Sequence, residues 1–185
     1  MASEIEYRKR IRSYGRIGLG RLWRKKQRNQ IGNDFWASGK LFEYIILRAF
    51  ELEGAEVTYP YSVDLQGEEV EQIDGAIKID SLYSLIECKD YSRDPINIAP
   101  LAKLRNQLLR RHASLFGMFF SMSDYTSPAE SLVQFMAPQM IILWSKEDIE
   151  YCMKRRCFVK CFRQKYKKAI ENCEYNYQYS LRSQL

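Results

Sequence analysis

Beyond residue 115 the chain alternates short apolar runs with amphipathic stretches of helical length: FGMFFSMS (116–123), SPAESLVQFMA (127–137), MIILW (140–144) and SKEDIEYCM. Apolar runs of this length, bounded by turn residues and rich in aromatic and branched side chains, read as buried strands. A strand buried on both faces needs helices over it, so the alternation demands a layered α/β arrangement. Pro128 suits the first turn of one helix, and Ser145 suits the N-cap of the next.

Upstream, GKLFEYIILRAFELEG predicts a helix over 39–53, with Ser38 as its cap and Gly54 ending it in a left-handed residue. EVTYPYSV (56–63) reads as a strand in which Pro60 marks an edge or a break. EQIDGAIKID (71–80) and YSLIECKDY (83–91) predict two strands joined tightly around Asp80–Leu82. Ile98–His112 predicts a second helix with Leu101, Leu104, Leu108 and His112 on one side. The order is helix, three strands, helix, strand, helix, strand, helix, which implies a mixed central β-sheet flanked by helices.

Charge divides the chain differently. Residues 1–30 carry +8, residues 154–185 carry +7, and the middle, 31–153, carries −9. Two basic extensions around an acidic core suggest a polyanion partner, because each neutralised phosphate releases counterions. Arg24, Lys25 and Lys26, three consecutive basic residues in the first extension, are expected to contact nucleic acid. Tyr7, Tyr14 and Trp23 in the first extension, and Phe158, Phe162, Tyr166, Tyr175, Tyr177 and Tyr179 in the second, lie among those charges. They suit either stacking on bases or the packing of helices onto the body. Tyr175, Tyr177 and Tyr179 also alternate like one face of a strand.

Several classes fall away. No apolar stretch approaches the roughly 20 residues of a membrane span. The first 30 residues hold no apolar run, so no secretory signal is expected. Five cysteines, an odd number with no CxxC pair, point to free thiols in a reducing compartment, hence a cytoplasmic protein, rather than to zinc. His112 is the only histidine, which excludes mechanisms needing two imidazoles.

The residues that carry chemistry are Asp74, Glu87 and Lys89. Glu87 and Lys89 are two apart on one strand and leave the same face. A turn at residues 80–81 puts Asp74 opposite Glu87; a turn at 81–82 puts it opposite Lys89. Either register gathers two carboxylates and an ammonium at one point. Such carboxylates repel unless a cation joins them, and Mg²⁺, which takes oxygen ligands, resolves the conflict. A bound Mg²⁺ would activate water for phosphodiester hydrolysis, with Lys89 orienting that water or helping to deprotonate it. The surrounding Leu85, Ile86 and Cys88 are apolar, and charges on a buried strand are costly without a partner. Taken alone, an acidic-x-Lys pattern also describes the solvated face of an ordinary strand. Glu43 shares a helix face with Leu47 and Phe50 and so is expected to point inward. Lys103, Gln107 and Arg110 fall on the polar side of the following helix, where they suit contacts to DNA phosphates and equally a solvated face.

In this order GKLFE (39–43), Asp74-Gly75, Glu87-Cys88-Lys89 and the following helix, strand, helix, strand resemble the PD-(D/E)xK nuclease superfamily, most closely Mrr-type restriction endonucleases. The resemblance spans about 39–153 and leaves out both basic extensions. Ile73 stands where the superfamily name has Pro, and Glu87 where many Mrr-like members have Gln. The resemblance implies a restriction-endonuclease-like core and a Mg²⁺-dependent DNA endonuclease, with Mn²⁺ substituting. It makes Asp74, Glu87 and the Cys88 carbonyl metal ligands, Lys89 the catalytic lysine and Glu43 the supporting carboxylate. Cutting both strands of a duplex would call for a homodimer. A Holliday-junction resolvase-like enzyme uses the same core, and a non-catalytic DNA-binding module could retain the fold.

Overall fold

The computed structural model describes residues 2–32, 35–90 and 93–182, so the predicted strand end at Tyr91 lies outside it. The chain begins with helices α1 (Glu4–Arg12), α2 (Arg16–Gln27) and α3 (Lys40–Leu52). Strands β1 (Glu56–Thr58), β2 (Tyr61–Leu65), β3 (Glu68–Ile73), β4 (Gly75–Ile79) and β5 (Leu82–Lys89) follow. The rest reads α4 (Ile98–Leu109), β6 (Phe116–Ser121), α5 (Ser127–Gln134), β7 (Ile141–Trp144), α6 (Lys146–Arg155), α7 (Phe158–Asn172) and α8 (Tyr179–Arg182).

The main sheet has the order β1-β4-β5-β6-β7, with β1, β4 and β5 antiparallel in sequence and β5, β6 and β7 parallel. It is therefore mixed and flanked by helices, as expected. Every residue of β6 and β7 is buried, as apolar strands between two helical layers require. On one face Leu101, Leu104 and Leu108 of α4 and Val133 of α5 pack on Leu85, Phe119, Ile141 and Leu143. On the other, α3, α6 and α7 cover Ile86, Met118, Phe120, Ile142 and Trp144.

Pro60 breaks the expected strand over 56–63. β1 stays in the main sheet, while β2 turns away to pair with β3 in a separate two-stranded ribbon. The single strand expected over 71–80 is likewise interrupted at Asp74, between β3 and β4. Alternation alone cannot show that a run changes sheets partway. Ser38 does not cap α3, whose N-cap is Gly39 without a side-chain hydrogen bond, whereas Gly54 does take a positive φ of 97°. His112 falls beyond the end of α4, exposed, with its Nδ1 2.9 Å from Ser114 Oγ.

The basic ends are folded into the body. α3 is buried on most of its circumference, and Phe42, Tyr44, Ile45, Ile46, Leu47 and Phe50 are fully buried, because the sheet covers one side and α1 and α2 the other. Tyr7 and Trp23 are core residues here, and so are Phe158 and Phe162 on α7, so these four rings are not available to bases. Tyr175–Tyr179 form no strand. Their backbone instead meets the outer edge of β7, where the Leu143 amide donates to the Tyr175 carbonyl at 2.9 Å. A buried Lys165–Asp148 pair, 2.6 Å apart, pins that segment, with Lys165 donating to the carbonyls of Leu143 and Tyr177. The sheet edge is thus covered rather than exposed to pairing with other chains. All five cysteines are unpaired thiols. No helix among the described residues is long and apolar enough to cross a membrane.

Candidate active site

The site is built on the β4–β5 pair. Gly75 lies opposite Ile86 and Ile79 opposite Leu82, the register of a turn at residues 80–81, with Asp80 in a left-handed conformation. Asp74, one residue before β4, therefore meets the Glu87 end of β5. Its Oδ2 accepts the Cys88 amide at 2.8 Å, which fixes the carboxylate against the strand. Gly75 permits the break before β4. Its φ is 154°, and a Cβ there would come within 2.7 Å of Leu47 Cδ2 and 3.0 Å of the Thr58 carbonyl.

β5 alternates across the sheet: Ile86 and Cys88 enter the α3 side, while Leu85 enters the α4 side. Glu87 and Lys89, in phase with Leu85, share the α4 side. Glu87 is fully buried, and its Oε1 takes the Lys89 Nζ at 2.5 Å. Lys103, reaching down from α4, places its Nζ 3.4 Å from both Glu87 oxygens. A buried carboxylate thus carries two ammonium partners, as burial of charge requires.

Glu43 points inward from α3, as its spacing predicts, and is 9% exposed. Lys40, one turn earlier, holds its Oε2 at 3.0 Å and also lies 3.3 Å from Glu4 of α1. Burial pushes the Glu43 carboxyl up, against the pull of Lys40. Asp74 is the more perturbed: burial first, then the charges of Glu87 and Glu43, push it from the usual 3.8 up to about 7 despite its backbone hydrogen bond. The Cys88 thiol is held well above its ordinary value by burial and the same carboxylates, so it is a neutral thiol. Three carboxylates are therefore close enough to feel one another, and the charge of Lys89 only partly offsets their effect on Asp74.

Among the described residues no group of three Asp, Glu, His or Cys side chains forms a ready-made metal cage. The donor set still suits Mg²⁺, which is commonly held by one or two carboxylates with water and substrate oxygens completing the shell. Asp74 and Glu87 would supply that pair, and the repulsion that lifts Asp74 is what a divalent cation would relieve.

The expected phosphate contacts separate. Lys103 faces the site. Gln107 is buried rather than on a polar face, donating to the Gln72 carbonyl at 3.1 Å, because α4 turns that position toward β3. Arg110 is half-exposed and paired with Glu71, which Arg111 also binds at 2.6 Å. Arg24 and Lys25 are exposed on α2, whereas Lys26 turns inward to Asp90 at 2.5 Å, beside Trp23 and Phe42. The reading of the sequence missed Lys40 and Glu4. The i, i+3 spacing of Lys40 and Glu43 is a usable signal, while nothing local links residue 4 to residue 43.

The sequence family described as Restriction endonuclease, the Mrr-type catalytic domain, matches residues 37–153, more than half of the chain. Similar solved structures include the protein of unknown function AF1548, at 16% identity over 57% of this chain, with a TM-score of 0.43. MspJI restriction endonuclease, in complex with a 27-mer oligonucleotide, is similar at 15% identity over 65%, with a TM-score of 0.44. The DNA modification-dependent restriction endonuclease AspBHI is similar at 17% identity over 84%, with a TM-score of 0.46. This chain spans 58%, 28% and 38% of those three chains, respectively. No curated protein matches it. By its match over the segment that carries Glu43, Asp74, Glu87 and Lys89, the chain belongs to the Mrr-type restriction endonuclease family.

Proposed function

We propose that the protein is a Mg²⁺-dependent DNA endonuclease of the restriction and defence type, hydrolysing phosphodiester bonds where β4 begins and β5 ends. One observation carries the reading: Asp74 and Glu87, far apart in character from their apolar neighbours, are buried together with Lys89 bonded to Glu87. Asp74, Glu87 and the Cys88 carbonyl would hold the metal, and Glu43 would support it directly or through water. When bound, Mg²⁺ would lower the pKa of water at the site and offset charge on the phosphorane-like transition state, and Mn²⁺ would serve similarly.

The chain's own groups do the rest. Glu87 fixes the Lys89 side chain, which is 21% exposed and so reaches from the sheet toward solvent. From there the ammonium donates to the attacking water or to a phosphate oxygen and stabilises the charge that develops. Lys103, half-exposed beside Glu87, offers a second cation to the phosphodiester. Lys40 keeps Glu43 in place from α3. Cutting both strands of a duplex needs two such sites, which a homodimer would provide.

The test is nicking of plasmid DNA with Mg²⁺ or Mn²⁺ by the wild type, Asp74→Ala and Lys89→Ala. Metal-dependent nicking lost in both variants supports the reading. Nicking that survives in both variants refutes the assigned site. Binding without cleavage of linear, methylated or branched DNA would favour a non-catalytic DNA-binding module.

A further inference from the structure

Outside the carboxylate cluster, two cavities run between α2 and α6. The first, about 690 Å³, is bounded by α2, the residues leading into α3 and the start of α6. It adjoins the cluster at both ends of its inner wall. Asp90 in that wall follows Lys89 directly, and Gly39 lies 4.0 Å from Glu43 Oε1, measured from where its Cβ would be. The second, about 500 Å³, continues outward between the two helices. The cavities share Gln27 and Glu150, which are hydrogen-bonded to each other at 2.8 Å.

Their walls are basic. Arg16, Arg24, Lys26, Lys146, Lys154 and Arg156 line the two cavities, against Asp90 and Glu150. Both acids are already engaged, Asp90 by Lys26 and Glu150 by Gln27. α2 itself contains no acidic residue. Two basic walls facing each other across a crease repel, and a polyanion lying between them removes that repulsion. Packed helices leave a crease that one extended strand can follow phosphate by phosphate, whereas a duplex presents two backbones on a rigid cylinder. Trp36, half-buried and stacked on Tyr7 at 5.0 Å, adds aromatic surface to the wall nearest the cluster.

We infer that the α2–α6 groove binds a single-stranded DNA segment adjoining the cleavage point, so that the preferred substrate carries an unpaired extension or branch beside the scissile bond. The inference deepens the nuclease reading and rests on it for the word scissile. The groove itself is tested without catalysis.

Binding is measured by fluorescence anisotropy in EDTA, on a blunt DNA duplex and on the same duplex with a single-stranded extension. The proteins are the wild type, Arg24→Glu/Lys154→Glu in the groove and Lys160→Glu/Lys167→Glu on α7, each checked for an unchanged melting temperature. The wild type is expected to prefer the extended substrate. The groove variant loses that preference and about tenfold in affinity, and its log K against log salt slope falls by about 1.4, two phosphate contacts at about 0.7 each for a single strand. The α7 variant keeps the preference. Equal wild-type binding to both substrates, retention of the preference by the groove variant, or an equal loss in the α7 variant overturns the inference. Plasmid nicking by the same proteins reads the catalytic proposal separately, so each reading can fail alone.

Discussion

Asp74→Asn tests the electrostatics of the site without any substrate. Burial beside Glu87 and Glu43 raises the Asp74 carboxyl from the usual 3.8 to about 7. A raised carboxyl contributes stability that is fully present below pH 3.8 and lost as pH rises through about 7. A shift of about 3 units at about 1.4 kcal/mol each makes the ionised form cost about 4 kcal/mol in the metal-free protein. Asparagine keeps an oxygen to accept the Cys88 amide and carries no charge, so it removes the titration while preserving that hydrogen bond. In EDTA, urea unfolding should therefore find the variant stabilised relative to wild type by about 2–3 kcal/mol more at pH 8 than at pH 5. Equal effects at the two pH values, or a variant destabilised at pH 8, would refute the account of three mutually repelling buried carboxylates. Saturating Mg²⁺ should narrow the difference at pH 8 by stabilising only the wild type, by about 2.7 kcal/mol at a concentration 100 times Kd.

Other expectations follow from single contacts. Lys89→Ala should lower cleavage by about 100-fold or more while leaving the fold intact, since Lys103 still neutralises Glu87; single-turnover nicking and a melting curve measure the two effects. Gly75→Ala forces a Cβ against Leu47 at a φ of 154° and should destabilise by about 1–3 kcal/mol in urea unfolding. Lys165→Met leaves the buried Asp148 carboxylate without its ammonium and should cost about 3–5 kcal/mol. Lys165→Met/Asp148→Leu should recover much of that loss; a double variant as unstable as the single would contradict the pairing argument.

The sequence alone determined the parts of this protein that depend on local periodicity and close spacing. The runs at 116–121 and 141–144 are buried strands because apolar residues on both faces have no other low-energy place. Spacing alone also gathers Asp74, Glu87 and Lys89 at one point in either of the two registers open to the sequence; the structure selects the turn at 80–81, which brings Asp74 to Glu87. Glu43 faces inward because helical spacing ties it to Leu47 and Phe50. What the tertiary structure decided involves contacts between residues distant in the chain. Pro60 and Asp74 split two apparent strands between two sheets, a choice made by which edges are free to pair. Gln107 looked solvated and is buried, because β3 lies over that side of α4. The basic ends looked like arms, but the apolar residues of α3 spread over more than the face that the sheet covers, and α1, α2 and α7 complete their burial. Burial and charge pairing are properties of the assembled body. No stretch of local sequence records that Glu4 meets Lys40, or that Lys26 turns from its basic neighbours to Asp90.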